Sequence, residues 1–413
     1  MTAHIARNDA VVVPQVTTIT PTVTNSEVFD LLINGKLPNS ASYTSDGTAT
    51  AQEIVEGLQA LLAALTSPPE FLEMTWTENN SAIIATGLST GKPFTIAEGP
   101  GTGDWASITV STNAKSPNHW IAENFSGLAL PANSDTVTIT GLTSTQSFKW
   151  GLDQSAVLLA SLDIRADSAA EIGLPDLNTD NGTYYEYRDK ELKIGATLLT
   201  IGLGEGQGSS RINIGLGATT CAATVYKTGT ATNRGAVHIT GGDASSTFHM
   251  LDGSVDLAMW SGSVGSWSII VVNGGTLNCG SGVTLATVEA AGISLVTIRS
   301  AATTVRTRDN GRLTHIGSGN ITTLDIQGGP VTIIATGALT VTTLNLYPGK
   351  ELDLSLCDSA VTVTNMNCYG TPDNPSTIRD PNNKLTMTNA CSTPNGAQSL
   401  RVITGSGRNI RVT

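Results

Sequence analysis

The unit Thr322-Thr-Leu-Asp-Ile-Gln-Gly328 recurs 20 residues later as Thr342-Thr-Leu-Asn-Leu-Tyr-Pro-Gly349. Each copy joins two threonines and an apolar triplet to a turn that contains glycine. A repeat near 20 residues has the length of one solenoid turn, in which short strands alternate with tight turns. Strands of successive turns then stack about 4.8 Å apart. The two copies therefore predict a parallel β-helix.

The same unit extends in both directions along the chain. The aligned triplets begin at intervals of 17, 19, 20 and 22 residues, at Val288, Val305, Leu324, Leu344 and Met366. A second array runs in phase with the first and contains Leu277, Val296, Leu313, Ile333 and Leu352. The repeat is clearest from 255 to 370. If residues from about 150 to 413 all took part, about thirteen turns would form a rod on the order of 60 Å long.

Two other all-β folds fit the spacing less well. A β-sandwich needs strands of 5–8 residues at intervals of 8–12 and shows no long period. A propeller repeats every 40 residues or more.

The composition agrees with a repeat protein. The chain has 413 residues, more than one ordinary hydrophobic core organises, and 14% of them are charged. Its 43 glycines favour many turns, and its hydrophobic fraction of 39% excludes general disorder. The expected fold class is mainly β, with a small N-terminal α+β domain followed by a parallel β-helix.

The domain organisation follows from changes in pattern along the chain. Residues 1–25 are predicted to form an extended arm, because prolines interrupt their β-prone stretch. Residues 26–113 are predicted to be an α+β anchoring domain, and 114–150 a connector with the first strands. Residues 151–413 are predicted to form the β-helix.

One helix is predicted within the α+β domain, over Thr50 to Leu65. Its apolar residues fall at helical spacing, and Thr50 with Glu53 forms a capping pair at its start. The sequence Pro68-Pro69 stops it.

The sequence predicts neither nucleic acid nor a membrane as a partner. A net charge of -12 disfavours nucleic acid, whose binding requires clustered Lys and Arg. No window has 18 consecutive apolar residues, so no membrane span is expected, and the N-terminus shows no signal peptide. Synthesis in the cytoplasm is therefore expected. The cysteines show no C-x-x-C spacing and are predicted to be buried free thiols: Cys221, Cys279, Cys357, Cys368 and Cys391.

A weak calcium candidate consists of Asp176, Asn178 and Asp180, whose oxygens alternate as in hard-cation loops. The pattern breaks at Asn181, where such loops need glycine, and at Tyr187, where a glutamate should close the shell. The alternative is a solvated turn rich in Asp and Asn. No metal or cofactor is therefore assigned.

Acid pairs were sought because β-helices often host polysaccharide cleavage, which needs two carboxyls about 5–9.5 Å apart. Asp325 aligns with Asn345, Asn367 and Arg306, with Glu289 two turns away, which predicts an amide and charge ladder rather than an acid pair. The nearby acids Glu351, Asp353 and Asp358 do not form a clear pair, because Asp358 is expected in a turn.

Other residue types show no catalytic constellation. The run Gly202-Leu-Gly-Glu-Gly-Gln-Gly208 lacks the Lys-Ser/Thr of a phosphate loop, so its glycines are expected to let turns stack closely. The histidines are dispersed: His4, His119, His238, His249 and His315. Five of the six tryptophans are expected mainly in packing, with sugar stacking as the alternative: Trp105, Trp120, Trp150, Trp260 and Trp267. No catalytic residue is assigned, and the chain is not expected to be an enzyme.

Taken in order, several segments resemble a family of bacteriophage structural proteins encoded with capsid genes. The likeness covers about residues 10 to 220. The segments are Val16 to Pro21, Leu32 to Lys36, Thr50 to Leu65, Pro69 to Phe71, Gly91 to Thr95, Pro117 to Trp120, Asn124 to Gly127, Pro131 to Val137, Gly151 to Ser155, Ile172 to Pro175 and Tyr184 to Arg188.

The resemblance implies a place in a virus particle, as a capsid decoration protein that reinforces the particle. The expected partners are the major capsid or tail protein, further copies of the chain in a homotrimer, and a host surface glycan. Residues 1 to about 113 would form the anchor. The alternative is a tail fibre or spike that binds, and in one version cleaves, host surface polysaccharide.

Overall fold

The computed structural model describes residues 2–38, 40–141, 147–179, 183–206, 211–229, 237–389, 392 and 399–405, with the backbone of 409–412. Half of the chain lies in strands and 6% in helices, and a small N-terminal domain precedes a parallel β-solenoid of about 11 turns. The predicted fold class is confirmed.

The N-terminal part contains the chain's α-helix and two antiparallel sheets, with strand orders β5-β6-β2-β8 and β4-β3-β7. Its elements are β1 (Ala3–Ile5), β2 (Val16–Pro21), β3 (Val28–Ile33), β4 (Ser42–Thr44), α1 (Ala51–Ala63), the 3₁₀ turn Pro69–Glu73, β5 (Met74–Glu78), β6 (Ile83–Gly87), β7 (Ile96–Glu98) and β8 (Trp105–Thr112).

The remaining strands follow the 3₁₀ turns Ala122–Asn124 and Ser126–Leu128. They are β9 (Thr136–Ile139), β10 (Asp153–Arg165), β11 (Leu177–Asn178), β12 (Tyr184–Tyr185), β13 (Leu192–Leu203), β14 (Ile212–Gly215), β15 (Ala222–Val225), β16 (Val237–Thr240), β17 (Thr247–Met250), β18 (Ser254–Leu257), β19 (Gly265–Cys279), β20 (Val283–Ile298), β21 (Ala302–Thr307), β22 (Arg312–Ile316), β23 (Ile321–Ile326), β24 (Val331–Ile334), β25 (Leu339–Leu346), β26 (Glu351–Asp353), β27 (Val361–Cys368), β28 (Ser376–Asp380), β29 (Leu385–Met387), β30 (Leu400–Thr404) and β31 (Asn409–Val412). These strands belong to the solenoid, with the exception of β11 and β12, which pair with each other in a separate antiparallel sheet.

Helix α1 confirms the helix predicted in the N-terminal domain. The Thr50 hydroxyl accepts the Glu53 N–H at 3.1 Å, and the Glu53 carboxylate accepts the Thr50 N–H at 3.3 Å. This reciprocal box satisfies two donors that a helix start otherwise leaves unpaired. The helix ends at Ala63, two residues before the expected end, and buries Ile54, Leu58 and Leu62.

Strand β8 was not predicted. Six of its eight residues are exposed, so Trp105–Thr112 shows no alternation of buried and exposed positions. It nevertheless pairs antiparallel with β2 along its length. A strand whose two faces both meet solvent carries no period-two signal.

One inward column runs through the whole solenoid. Its members pair in parallel from turn to turn and are Val137, Leu162, Leu199, Ala223, Phe248, Ile270, Val288, Val305, Leu324, Leu344 and Met366. These residues are between 0% and 2% exposed. The predicted register from Val288 to Met366 is confirmed. The estimate of thirteen turns was too high because the early turns are longer.

The second predicted array contained one wrong member. Leu313 and Leu352 both pair with Val331, whereas Ile333 pairs with His315. Val331 and Ile333 are both fully buried, since residues two apart on a strand face the same side. A repeat pattern alone does not separate them.

The connector, residues 114–150, closes the first turn of the solenoid. Trp120 packs against Phe125 and Phe148 with ring centroids 4.8 Å and 5.0 Å apart, and all three side chains are buried. They belong to the same core as the inward column. These aromatic rings cover the end of the column.

The expected extended arm, residues 1–25, is not an arm. Its first strand, β1, pairs in parallel with β9 and places His4 next to Val137 at the foot of the column. Its second strand, β2, lies between β6 and β8 in the N-terminal domain. The prolines did not prevent pairing, because Pro21 ends the strand and Pro14 precedes it.

The N-terminal domain is an insertion into the first solenoid turn. Val13 and Lys115 exchange two backbone hydrogen bonds, of 2.8 Å and 2.9 Å, in an antiparallel bridge. The Cα atoms of such a pair lie about 5.5 Å apart. The chain therefore leaves the solenoid after Val13 and returns to the same point at Lys115.

Candidate functional site

The predicted polar ladder is present on the outside of the solenoid. Glu289, Arg306, Asp325, Asn345 and Asn367 pair in register on five successive turns. Arg306 Nη2 lies 3.2 Å from Asp325 Oδ2, and Asn367 Nδ2 donates to Asn345 Oδ1 at 2.7 Å. The other carboxylate oxygen of Asp325, Oδ1, accepts a hydrogen bond from Asn345 Nδ2. The two carboxylates are thus separated by a guanidinium and engaged in structural contacts.

The acids of the later turns, Glu351, Asp353 and Asp358, do not converge on one site. Glu351 forms an ion pair with Arg379 at 3.1 Å, and Asp353 accepts the Ser355 N–H at 2.8 Å. Asp358 lies in a bend, as predicted. These contacts hold the ends of strands and turns.

Two of the three calcium candidates contact partners within the protein. Asp176 Oδ1 pairs with Lys190 Nζ at 2.6 Å, and Asn178 Nδ2 donates to Glu186 Oε2 at 3.0 Å. Asp180 lies outside the described residues. Within the described part of the chain, no three His, Cys, Asp or Glu side chains are grouped as metal ligands. The calcium hypothesis stays a prediction.

The described cysteines lie in the core, and the first glycine of the glycine run lies where two turns meet. Cys221, Cys279 and Cys357 are free and buried. Cys368 is buried as well, and Cys391 lies outside the described residues. Gly202 makes a close approach, because a Cβ atom there would lie 1.9 Å from the Lys227 carbonyl. This confirms stacking of turns at the start of the glycine run.

The histidines are dispersed, and four of them are buried. His119 packs against Trp150 with ring centroids 5.4 Å apart, and His238 stacks on Trp260 at 3.7 Å. His4 contacts Asp135 at 3.1 Å. Burial lowers the pKa of His119 and of His238 to about 4, so both are neutral at pH 7.

Because both histidines bind protons more weakly in the folded state, acid should destabilise the protein. Between pH 6.5 and pH 4 the two histidines bind protons in the unfolded chain but stay neutral in the folded chain. The free energy of unfolding therefore falls as the pH falls. Each group contributes about 2 to 3 kcal/mol over that window. Urea unfolding at pH 7.5, 5.5 and 4.5 measures the loss. A His119→Gln/His238→Gln variant should show a flatter pH profile, and an unchanged profile would count against these two groups.

A cluster around Glu73 joins the N-terminal domain to the solenoid. Glu73 is 2% exposed and accepts Lys92 Nζ at 2.7 Å from its own domain. From the solenoid side, Tyr187 Oη donates at 3.0 Å, and Tyr184 Oη and Arg188 Nη2 also donate to this carboxylate. Burial alone would raise the pKa of Glu73, but the Arg188 and Lys92 charges hold it below its usual range.

A groove with a volume of about 820 Å³ crosses several solenoid turns. Glycines from successive turns form its floor, including Gly217, Gly241 and Gly265. A Cβ atom on Gly241 would lie 2.3 Å from the Gly217 carbonyl, and its φ of +84° also favours glycine. The floor is therefore bare backbone because the turns approach too closely for side chains.

Glu191 lies in the wall of this groove. Its Oε2 accepts the Thr240 hydroxyl at 3.0 Å, and burial raises the pKa of its carboxyl. A Cβ atom on Gly215 would lie 2.7 Å from Glu191 Oε1, so a glycine makes room for this acid. Among the described lining residues Glu191 is the single carboxyl, and the other polar side chains include Ser155, Thr219, Ser263, Ser266 and Thr284. These groups can hydrogen-bond to hydroxyl-bearing ligands, and the described lining supplies one of the two carboxyls that glycoside hydrolysis needs.

No sequence pattern marks Glu191 or Glu73. Neither belongs to a motif, and each acquires its surroundings from residues 19 to 115 positions away along the chain. The segment Tyr184-Tyr-Glu-Tyr-Arg188 was noticed for its resemblance, but its contact with Glu73 depends on the docking of two domains.

Comparison with protein-family models, curated proteins and solved structures found no match to this chain. No helix in the described part of the chain has the length and apolar character needed to cross a membrane.

Proposed function

We propose that this protein is a structural component of a bacteriophage particle, held on the particle by its N-terminal domain, with the solenoid as a rigid arm. The main support for the proposal is the connection between the N-terminal domain and the solenoid. A domain inserted through the Val13–Lys115 bridge is connected by two chain crossings, which resist rotation better than a single linker.

The buried cluster at Glu73 supports the same reading. Arg188 contacts Glu73, pairs with Glu186 at 2.9 Å and donates from Nε to the Pro93 carbonyl at 2.8 Å. A guanidinium with a fixed planar fork holds several acceptors in one geometry. Such a rigid joint suits a protein that reinforces or extends a particle. The major capsid or tail protein would bind the N-terminal domain. The assembled form would be a trimer.

Excision of the inserted domain tests the anchoring role. In the variant, a two-residue Asn-Gly turn replaces residues 14–114 and joins Val13 to Lys115, since such turns close antiparallel pairs. We expect a folded solenoid, measured by circular dichroism and a cooperative thermal transition, that no longer co-sediments with particles assembled in its presence. Co-sedimentation at the level of the full chain would contradict the anchoring role. Failure to fold would contradict the insertion itself.

This variant replaces deletion of residues 1–113 as the appropriate test. The longer deletion would also remove β1, whose Ala3, His4 and Ile5 pair with the first turn. Loss of β1 would leave β9 as an exposed edge, which favours aggregation.

A second candidate function is a tail fibre or spike that binds host surface polysaccharide. The observation that favours it is the glycine-floored groove with Glu191, whose hydroxyls and carboxyl match the hydrogen-bonding groups of a sugar chain. Incubation of the protein with host surface polysaccharide tests it. Release of reducing ends would overturn the expectation that the chain is not an enzyme, whereas binding without release would support a spike that only attaches.

A further inference from the structure

A second groove lies where the inserted domain meets the solenoid. It has a volume of about 510 Å³, within the range of small-molecule sites. The hairpin turn at Asn34 and the segment around Phe94 line one side. The solenoid contributes Lys149, Trp150 and Tyr187. The groove thus exists only when the two parts are docked, and it is separate from the Glu191 groove.

Two side chains that line this groove carry buried donors without an acceptor. Trp150 is 7% exposed and Asn34 is 5% exposed. Within the described part of the chain, neither the Trp150 Nε1–H nor the Asn34 Nδ2–H has a hydrogen-bond partner. A buried donor that stays unpaired is costly because it has lost its hydrogen bonds to water, so two at one groove call for an explanation.

The orientation of the Asn34 amide is fixed by its other end. Asn34 Oδ1 accepts the Thr95 N–H at 3.0 Å, which leaves Nδ2 as the unpaired group. The backbone of Asn34 has a positive φ of 52°, which asparagine tolerates better than most residues. The turn therefore holds this donor in one place at the edge of the solenoid.

The groove also contains an uncompensated cation and an accessible acid. Lys149 forms no ion pair with any described residue, whereas Arg188 is neutralised by Glu73 and Glu186, and Asp189 by Lys193. Asp153 is exposed and accepts from Ser155 at 2.7 Å. The groove therefore offers N–H donors and one positive charge, with a separate carboxylate that can accept hydroxyl protons.

We propose that this groove binds an acidic sugar, a pyranose unit that carries a carboxylate. The sugar carboxylate would accept from Lys149, Asn34 and Trp150, which supplies the acceptors that the two buried donors lack. The sugar hydroxyls would donate to Asp153. Tyr187, whose ring is partly exposed, provides apolar surface on which a pyranose face packs. This inference rests on the groove itself and holds whether the protein belongs to a capsid or a tail.

The experiment uses the full chain and two sets of probes, di- and trisaccharides of galacturonate and glucuronate, and the corresponding neutral galactose and glucose oligomers. Titration calorimetry measures affinity, and the indole N–H resonance of Trp150, assigned with a Trp150→Phe variant, reports contact. We expect the acidic probes to bind at least tenfold more tightly than the neutral ones and to shift that resonance. Equal binding of both sets, or binding of neither, would overturn the proposal.

Three variants locate the site. Asn34→Asp keeps the size, the positive φ and the acceptor for Thr95 but replaces the donor by a negative oxygen, and should lower the affinity at least tenfold. Lys149→Met should have an effect of similar size. Asn80→Asp is the matched control, because Asn80 also has a positive φ, of 67°, and lies outside this groove. An equal loss in the control, or full affinity in Asn34→Asp, would place the binding elsewhere. A thermal transition within a few degrees of the wild type shows that each variant is folded.

Discussion

Replacing Glu73 with glutamine is expected to lower the free energy of unfolding by about 3–5 kcal/mol, the range found when one partner of a buried ion pair is removed. The change keeps the shape of the side chain but removes the charge shared by Lys92 and Arg188. Both cations are nearly buried, with side-chain exposures of 6% and 9%, so water cannot compensate them. Urea unfolding at pH 7.5 measures the loss.

The same substitution should loosen the joint between the domains. Tyr184 and Tyr187 donate to the same carboxylate, so hydrogen exchange of the segment 184–188 should become faster in Glu73→Gln while the solenoid beyond residue 237 keeps its protection. Glu98→Gln is the control, because Glu98 is an exposed acid of the same domain. A loss under 1 kcal/mol, or equal losses in both variants, would show that the cluster does not hold the domains together.

Shortening a side chain of the inward column should lower the free energy of unfolding about as much as Glu73→Gln does. Leu324 is fully buried and pairs with Val305 below and Leu344 above. Leu324→Ala removes apolar contact on both neighbouring turns and leaves a cavity, at a cost of about 2–5 kcal/mol. The measurement is again urea unfolding.

The matched control for this prediction is Thr322→Ala on the same strand. Thr322 is exposed although it lies two residues from Leu324, because the alternation of this strand is broken between the buried residues Ile321 and Leu324. Surface substitutions of this kind usually change stability by less than about 0.5 kcal/mol. If Thr322→Ala were as destabilising as Leu324→Ala, the assignment of Leu324 to the core and of Thr322 to the surface would be wrong. The register of the solenoid would then be wrong too.

The solenoid was predictable because its signal is local and repeated. The copies at 322–328 and 342–349 place one apolar residue per turn in the same column, and Leu324 and Leu344 do pair. The error at Ile333 shows the limit of that signal. Two inward residues two positions apart satisfy the same pattern, and the hydrogen-bond register that distinguishes them depends on turns of unequal length.

The insertion and the two grooves were not predictable from local pattern. Val13 and Lys115 carry no motif, and their bridge closes a long loop whose ends meet only in the folded state. Burial raises the pKa of Glu191, whose carboxylate accepts from Thr240, 49 residues further along the chain. The groove at Asn34 and Trp150 is made by docking one domain on another. Such sites are set by tertiary contacts, which one sequence does not reveal.

Cryo-electron microscopy of the intact virus particle tests the central proposal most directly. The proposal predicts density for a rod of about 11 turns, about 50 Å long, attached to the capsid or tail through the domain of residues 14–114. Particles carrying the excised variant, with residues 14–114 removed, should lack the rod. Particles without this density, or attachment through the C-terminal turns of the solenoid, would contradict it.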